Sequence, residues 1–238
     1  MIKSTNKALA IVTGASTGLG KKISIDLAEK QFHVVMISRN EKKLKEVEKE
    51  ILSKNFICSL ICADISDAKS LKLISSKINL ENVEVLVNNA GIGIFNKIQN
   101  ISVSEWDNQI NTNLRGSFLM TKLVVDSMIN KKNGKIVFIN SVAGINPYPN
   151  STAYVASKYG LRGFASSLRE ELRSENIKVI SIHPGATNTS FWDKVEGEFP
   201  VDEMLSIDDV SEAVVNSIIA KGNTVFEEIV VRRTAGDF

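Results

Sequence analysis

The chain has 238 residues, 43% of them hydrophobic and 24% charged, so it is long enough to bury a full core without disulfide or metal staples. Its formal net charge is +2 and its acidic and basic residues are interspersed, which argues against a nucleic-acid-binding face. The first residues are polar and no apolar stretch approaches the roughly 20 residues of a membrane helix, so we expect a cytoplasmic protein with no nucleic-acid or membrane partner.

Strongly apolar runs alternate along the chain with segments of helical character. The predicted strands occupy residues 8–12, 33–38, 56–62, 83–87, 135–140, 178–182 and 228–232. The predicted helices extend from the glycines at 14–20 to about residue 30, and then over 41–54, 67–79, about 104–130, 152–175 and 206–221. Because the strands are too hydrophobic to have a wet face, the alternation predicts an α/β fold: a doubly wound parallel sheet of about seven strands with helices on both faces. We expect one Rossmann-like domain covering residues 1–238.

The cysteines and histidines offer little chemistry of their own. Cys58 and Cys62 have neither a second cysteine pair nor a histidine pair to complete a zinc site. We therefore predict no metal, and two buried free thiols rather than a redox pair. His33 and His183 have no serine, cysteine or carboxylate partner at a motif spacing, which favours a structural role for both.

Three glycines, Gly14, Gly18 and Gly20, separate the first predicted strand from the first helix. Glycines at such a turn let backbone N–H groups approach an anion, and the helix N-terminus adds positive potential. The pattern predicts a site for the pyrophosphate of a dinucleotide, although its spacing differs from the usual Gly-x-Gly-x-x-Gly. The alternative is an ordinary glycine-rich turn.

The end of the second predicted strand distinguishes between the two nicotinamide dinucleotides. An acidic residue there would bind the adenosine ribose hydroxyls of NAD, whereas an arginine would meet the 2′-phosphate of NADP. This chain has Ser38 and Arg39, with no acid before Glu41, and arginine forms charge-assisted bonds to phosphate. The pattern favours NADP(H). The alternative is that Arg39 is a solvated turn residue.

A hydroxyl, a phenol and an ammonium group occur between residues 141 and 158. They belong to Ser141, Tyr154 and Lys158, and the tyrosine and lysine lie on one helix face because they are four residues apart. A tyrosine–lysine spacing alone is frequent by chance. Only its combination with the glycines and with further motifs indicates a site.

Taken together, these residues resemble one family, the short-chain dehydrogenases/reductases in their compact single-domain branch, with similarity to 3-oxoacyl-carrier-protein reductases and sepiapterin reductases. The match spans nearly the whole chain. The matching motifs are Thr13-Gly14-Ala-Ser-Thr-Gly18-Leu-Gly20, Asp64, Asn88-Asn89-Ala90-Gly91, Asn113, the trio Ser141, Tyr154 and Lys158, and Pro184-Gly185-x-Thr187. The segment before the last strand lacks the glycine-rich end of many 3-oxoacyl-carrier-protein reductases.

The resemblance implies a role for each matching residue. Tyr154 would donate a proton to the alkoxide formed by hydride transfer, and Lys158, helped by the oxidised nicotinamide, would lower its pKa. Ser141 would hold the carbonyl oxygen. In the family the lysine also bonds the nicotinamide ribose, and the asparagine, here Asn113, positions a water molecule. The implied cofactor-binding residues are Gly14, Ser16, Thr17, Gly18, Leu19, Gly20, Ser38, Arg39, Asp64, Ile65, Asn89, Ala90, Gly91, Tyr154, Lys158, Pro184, Gly185 and Thr187.

The expected activity is NADPH-dependent reduction of a ketone or aldehyde, with 3-oxoacyl thioesters among the candidate substrates. The alternatives are a pterin or dicarbonyl reductase and a non-enzymatic NADP sensor, although such sensors usually lose the tyrosine or lysine that this chain keeps. Residues 187–206 are expected to form a substrate lid, in which Phe191 and Trp192 are apolar contacts, or else core or dimer contacts. Lys135 and Arg173 could meet an acidic carrier protein, but two basic residues are also ordinary surface background.

The family resemblance further implies self-association. Long helices beside the sheet form the usual dimer surface of the family, and here they are predicted at about 104–130 and 152–175. We therefore expect a homodimer or homotetramer, together with a small-molecule carbonyl or alcohol substrate.

Overall fold

A computed structural model describes residues 7–192 and 200–236 of the chain, so the part of the expected lid at 193–199 lies outside the described residues. Seven strands form one parallel sheet in the order β3-β2-β1-β4-β5-β6-β7. The strands are β1 Leu9–Thr13, β2 His33–Ser38, β3 Cys58–Cys62, β4 Val83–Asn88, β5 Gly134–Ile139, β6 Ile177–Pro184 and β7 Glu228–Val231. The α/β prediction is confirmed.

The helices pack on both faces of this sheet. They are α1 Gly18–Glu29, α2 Glu41–Ser53, α3 Ala68–Lys77, α4 Val103–Ile110, α5 Gly116–Lys131, α6 Thr152–Leu172 and α7 Ile207–Ile219. None of the helices in the described part of the chain is long and apolar enough to cross a membrane.

The sheet separates two hydrophobic cores. Alternate residues of each strand face opposite sides, so Ile11 and Phe138 pack in one cluster while Val12 and Val137 pack in the other. The first cluster lies under α3, α5 and α6, and the second under α1, α2 and α7. This double burial explains why the strands read as continuous apolar runs.

The region from 103 to 131 differs from the single helix expected there. The region begins with a capping box: the Ser102 hydroxyl accepts from the Glu105 backbone N–H, and the Glu105 carboxylate accepts from the Ser102 N–H at 2.8 Å. However, a π-helical turn at Asn111–Arg115 separates α4 from α5. Turns of this kind are rare and concentrate at functional sites, and this one carries Asn113.

Two further expectations need correction. Both thiols are free, as predicted, but only Cys58 is buried; Cys62 is exposed, because it ends the edge strand β3. Helix α6 ends at Leu172, and a 3₁₀ turn at Arg173–Glu175 follows before Asn176 adopts the left-handed conformation.

Candidate active site

A cleft of about 1620 Å³ lies at the carboxyl edge of the sheet. Strands β1 and β4 are neighbours there, while the chain leaves β1 toward β2 and leaves β4 toward β5, in opposite directions. Such a switch point opens a crevice between the departing loops, which is where doubly wound sheets bind ligands. Every residue predicted to bind the cofactor lines this cleft, and so do Ser141, Tyr154 and Lys158.

The glycine loop after β1 requires its glycines for two different reasons. Gly14 and Gly18 have φ angles of +65° and +53°, a backbone region that suits glycine. Gly20, in the first turn of α1, packs so closely that a Cβ there would overlap the Asn89 side chain and the Gly14 carbonyl. The N-terminus of α1 therefore comes close to the strand ends, and its free N–H groups open into the cleft.

Hydrogen bonds fasten this loop to the end of β4. The Asn89 side-chain amide donates to the Thr13 carbonyl at 2.9 Å and to the Gly14 carbonyl at 3.3 Å. The Thr13 hydroxyl, fully buried, accepts from the backbone N–H groups of Asn89 and Ala90, both at 3.0 Å, and donates to the Val87 carbonyl. The floor of the cleft is thus fixed by one threonine and one asparagine on adjacent strands.

The end of the cleft that is expected to hold the adenosine is lined by the ends of β2 and β3. The Ser16 and Ser38 hydroxyls are 2.8 Å apart, and the Arg39 guanidinium lies 3.6 Å from the Asp64 carboxylate. The pKa of Asp64 is lowered: its burial opposes this, and hydrogen bonds from Ser66 together with the charge of Arg39 outweigh the burial. The Arg39 side chain is 66% exposed, so its ion pair with Asp64 is weak and its N–H groups can reach an incoming phosphate.

Tyr154 meets Ser141 at the opposite end of the cleft. The two side chains are hydrogen-bonded, which lowers the tyrosine pKa, but burial dominates and raises that pKa to about 12. The expectation that Lys158, helped by the oxidised nicotinamide, lowers this pKa includes the charge of the bound cofactor and stays a prediction. The Lys158 ammonium is 5.7 Å from the tyrosine ring centroid, and desolvation of the phenolate is the largest influence on the tyrosine pKa. Tyr154 therefore holds its proton at neutral pH.

Lys158 is buried one helical turn after Tyr154. Its ammonium donates to the Ile139 carbonyl at 2.9 Å, and its side chain is largely withdrawn from water. Burial lowers its pKa to about 8, so at neutral pH it is still mostly charged. A cation is thus held beside the phenol and next to Gly91.

Asn113 lies beneath the cleft rather than in its wall. Its side-chain oxygen accepts from the Ile92 N–H at 2.8 Å, and its amide donates to the Ile92 carbonyl and to the Ser157 hydroxyl, both at 2.9 Å. Ser157 in turn donates to the Tyr154 carbonyl at 2.7 Å. The π-helical turn therefore ties the loop after β4 to the helix that carries the tyrosine and lysine.

An aromatic cluster covers the tyrosine. The Phe95 ring centroid lies 5.3 Å from that of Tyr154, and Phe191 lies 6.0 Å from both rings. Trp192 stacks parallel to Phe95 with a centroid distance of 6.4 Å. The predicted contacts Phe191 and Trp192 thus belong to the wall of the cleft.

Several residues of the site were not found by sequence reasoning. Phe95 occurs in no motif, and its neighbours in the cluster come from a loop almost a hundred residues further along the chain. Gln109, fully buried, accepts from the Ile94 N–H at 2.9 Å and so supports the loop that carries Phe95. Its position four residues before Asn113, on the same helix face, was a usable signal. Ser157, between Tyr154 and Lys158, was another.

Lys135 and Arg173 are both engaged within the chain. Lys135 donates to the Ile218 carbonyl, and Arg173 pairs with Glu170 at 2.7 Å and with Glu227 at 2.8 Å. These contacts weaken the idea that the two residues form a docking surface for a carrier protein.

Comparisons with known proteins agree with this geometry. The family model described as short chain dehydrogenase matches residues 8–198. A sepiapterin reductase of Chlorobaculum tepidum is 32% identical over 240 residues, which cover 97% of this chain and 98% of that protein. A 3-oxoacyl-acyl-carrier-protein reductase of Staphylococcus aureus is 34% identical over 200 residues, covering 83% and 81%.

A solved structure gives the same result for the fold. The crystal structure of a metagenomic short-chain oxidoreductase in complex with NADP superposes with a TM-score of 0.84 at 31% identity, covering 95% of this chain and 97% of that one. The family model covers most of the chain, and the two relatives are 32% and 34% identical to it over most of their length. The chain is an oxidoreductase that belongs to the short-chain dehydrogenase family.

Proposed function

We propose that this protein reduces a ketone or aldehyde with NADPH, and that Ser141, Tyr154 and Lys158 are its catalytic residues. The observation that carries the proposal is the meeting of this trio with the glycine loop in one cleft, although the two sets of residues are more than a hundred positions apart in the chain. A structural role for the trio would not require a buried lysine beside a buried phenol. We assign the activity to a single domain at residues 1–238, with 187–206 as its substrate lid; of that segment, Thr187, Phe191 and Trp192 line the cleft.

The residues fit a nicotinamide dinucleotide. Gly14, Gly18 and Gly20 leave the N-terminus of α1 accessible to a pyrophosphate, since a side chain at the first would meet the Ala90 Cα at 2.8 Å. The remaining cofactor residues are Ser16, Thr17, Leu19, Ser38, Arg39, Asp64, Ile65, Asn89, Ala90, Gly91, Tyr154, Lys158, Pro184, Gly185 and Thr187. When bound, the reduced nicotinamide supplies the hydride that attacks the carbonyl carbon.

The side chains of the trio would handle the negative charge and the proton. The Ser141 hydroxyl holds the carbonyl oxygen, where charge develops as the C–O double bond is reduced. Tyr154, still protonated because of its burial, transfers its phenolic proton to that oxygen. The Lys158 cation stabilises the phenolate that remains, and Asn113 holds Ile92 and Ser157 in place around it.

Arg39 supports NADP over NAD. Its guanidinium stands at the cleft mouth beyond Ser38, where a 2′-phosphate would be received, and a related oxidoreductase was solved with NADP. The salt bridge to Asp64 is long and exposed, so its loss on phosphate binding costs little free energy.

The aromatic cluster supports a second candidate within the same reaction class. Phe95, Phe191 and Trp192 place flat apolar surfaces against Tyr154, which suits a planar conjugated carbonyl such as a pterin or a cyclic diketone. The sepiapterin reductase relative is consistent with that class. A linear 3-oxoacyl thioester would make less use of these rings.

The experiment that tests the function is a carbonyl panel with purified protein, followed by the loss of NADPH absorbance. The panel contains an acetoacetyl thioester, a pterin, a cyclic diketone and simple aldehydes, each with NADPH and with NADH. Turnover with at least one carbonyl and a preference for NADPH are expected. NADPH binding without turnover of any carbonyl would favour the sensor alternative.

We also propose that the chain forms a homo-oligomer, a homodimer or a homotetramer, through α4, α5 and α6. Exposed apolar side chains are frequent on these helices, and Val103 is the most exposed of them at 77%. The others are Trp106, Phe118 and Tyr159. Sedimentation at micromolar concentration should give the mass of a dimer or tetramer, and Phe118→Glu should shift it toward the monomer; a monomeric wild type would contradict the proposal.

A further inference from the structure

His183 lies directly behind the proposed catalytic serine. It is fully buried near the end of β6, and its Nδ1 atom is 3.2 Å from the Ser141 backbone carbonyl oxygen. Ser141 lies two residues after the end of β5, and the intervening Asn140 still pairs through its backbone N–H with the Ile182 carbonyl at 2.8 Å. The imidazole therefore supports the segment in which the β5 backbone leaves the sheet and the Ser141 hydroxyl turns into the cleft.

The geometry assigns one tautomer to this imidazole. A carbonyl oxygen only accepts, so Nδ1 must carry a proton to bond Ser141. Nε2 has no hydrogen-bond partner among the described residues, and the Glu228 carboxylate is 4.0 Å away. An unprotonated Nε2 thus faces a carboxylate that is already engaged, because Glu228 accepts two bonds from Arg162 at 2.9 and 3.0 Å.

The charged groups around His183 keep it neutral. Glu228 of β7 faces it from one side, and Lys158 and Arg162 face it from α6. Burial is the largest effect and lowers the histidine pKa; the two cations act in the same direction, against the carboxylate and the bond to Ser141. A neutral imidazole can be locked in one tautomer by the single bond that it donates.

We propose that His183 is a positioning residue for the carbonyl reduction: its Nδ1–H bond to the Ser141 carbonyl fixes the direction of the Ser141 hydroxyl that meets Tyr154 and the substrate oxygen. This inference rests on the proposed function. The proposal gives His183 a role beyond packing, because the Ser141 carbonyl needs a hydrogen-bond donor at the position of Nδ1. The histidine does not touch the substrate.

The test compares His183→Asn, His183→Gln and His183→Leu. The asparagine amide occupies the place of Nδ1 and can donate to the Ser141 carbonyl, whereas the glutamine amide reaches the place of Nε2. We expect the asparagine variant to keep most of the wild-type kcat, and the other two to lose about 10- to 100-fold, as expected when a catalytic group is displaced by a fraction of an ångström to an ångström. The NADPH dissociation constant should not change in any of them. Equal losses in the asparagine and glutamine variants would overturn the proposal.

A measurement on the unmodified protein keeps the proposal testable if the variants fold poorly or if no carbonyl is turned over. The chain has only two histidines, so nitrogen-15 NMR of histidine-labelled protein, with His33→Gln for assignment, reads the tautomer of His183 directly. A neutral imidazole protonated at Nδ1 between about pH 6 and pH 8 is expected. Protonation at Nε2 alone would overturn the proposal, whereas absence of turnover by wild type with the expected tautomer would count against the proposed function only.

Discussion

The two ends of the cleft are built in different ways. The cofactor end consists mainly of backbone: a glycine loop, a helix N-terminus and the strand ends, fixed by Thr13 and Asn89. The substrate end consists mainly of side chains, in which Phe95 after β4 meets Phe191 and Trp192 after β6. A site built from backbone accepts few sequence changes, so the ligand that it fits stays the same. An aromatic wall, in contrast, changes with each substitution. The difference explains how one family keeps one cofactor chemistry while it varies its substrates.

The largest effect is expected at the substrate end, with Tyr154→Phe. Removal of the phenolic proton should lower kcat by about 10²- to 10⁴-fold, the usual contribution of general acid catalysis, with little change in NADPH affinity. Steady-state kinetics and a fluorescence titration with NADPH measure the two quantities. Tyr159→Phe is the matched control, because Tyr159 is on the same helix but exposed. Normal turnover by Tyr154→Phe would remove this tyrosine from the mechanism.

Gly20→Ala tests the backbone character of the cofactor end. The added Cβ would overlap Asn89 and the Gly14 carbonyl, so we expect unfolding free energy to fall by about 1–3 kcal/mol and NADPH binding to weaken. Urea unfolding measures the change in stability, and an NADPH titration measures the change in affinity. The control is Gly163→Ala in α6, where the new Cβ meets no described atom within 4 Å apart from its chain neighbours and its own helix backbone, and this change should stabilise the protein by about 0.4–1 kcal/mol. If both variants behaved alike, close packing at Gly20 would not matter.

Arg39→Asp tests the side chain to which we attribute the proposed NADP preference. Loss of a charge-assisted bond of about 1.5–3 kcal/mol should raise the KM for NADPH about 10- to 150-fold. The KM for NADH should fall or remain unchanged. Lys42→Asp, an equal charge change on an exposed position outside the cleft, controls for long-range electrostatics. An unchanged ratio of the two cofactors would eliminate Arg39 as the selector.

Phe95→Leu should have the smallest effect, and only at the substrate end. An aromatic pair contributes about 0.5–1.5 kcal/mol beyond its buried area, so kcat/KM for a planar carbonyl should fall about 2- to 12-fold, with less change for a small aldehyde. Phe226→Leu, at an exposed position away from the cleft and outside the proposed oligomer surface, is the control. Equal losses for planar and small substrates would argue against a role of the rings in recognition.

The backbone-built end was also the part that the sequence predicted best. Gly14, Gly18 and Gly20 are local in sequence, and the strand and helix around them follow from periodicity. Phe95 and His183 were missed or assigned only a structural role, because their partners lie 42 or more residues away and no short motif records such contacts. The burial that raises the pKa of Tyr154 had no signal in the sequence, since it depends on packing that no spacing of residues reveals. The π-helical turn at Asn113 left no signal in the hydrophobic pattern.

The most direct test of the account measures kcat and the NADPH dissociation constant together for Tyr154→Phe and Arg39→Asp. A crossed result is predicted: Tyr154→Phe keeps the affinity and loses turnover by about 10²-fold or more, while Arg39→Asp loses affinity and keeps kcat at saturating NADPH. If each variant lost both NADPH affinity and kcat, the separation of the cleft into a cofactor end and a substrate end would be contradicted.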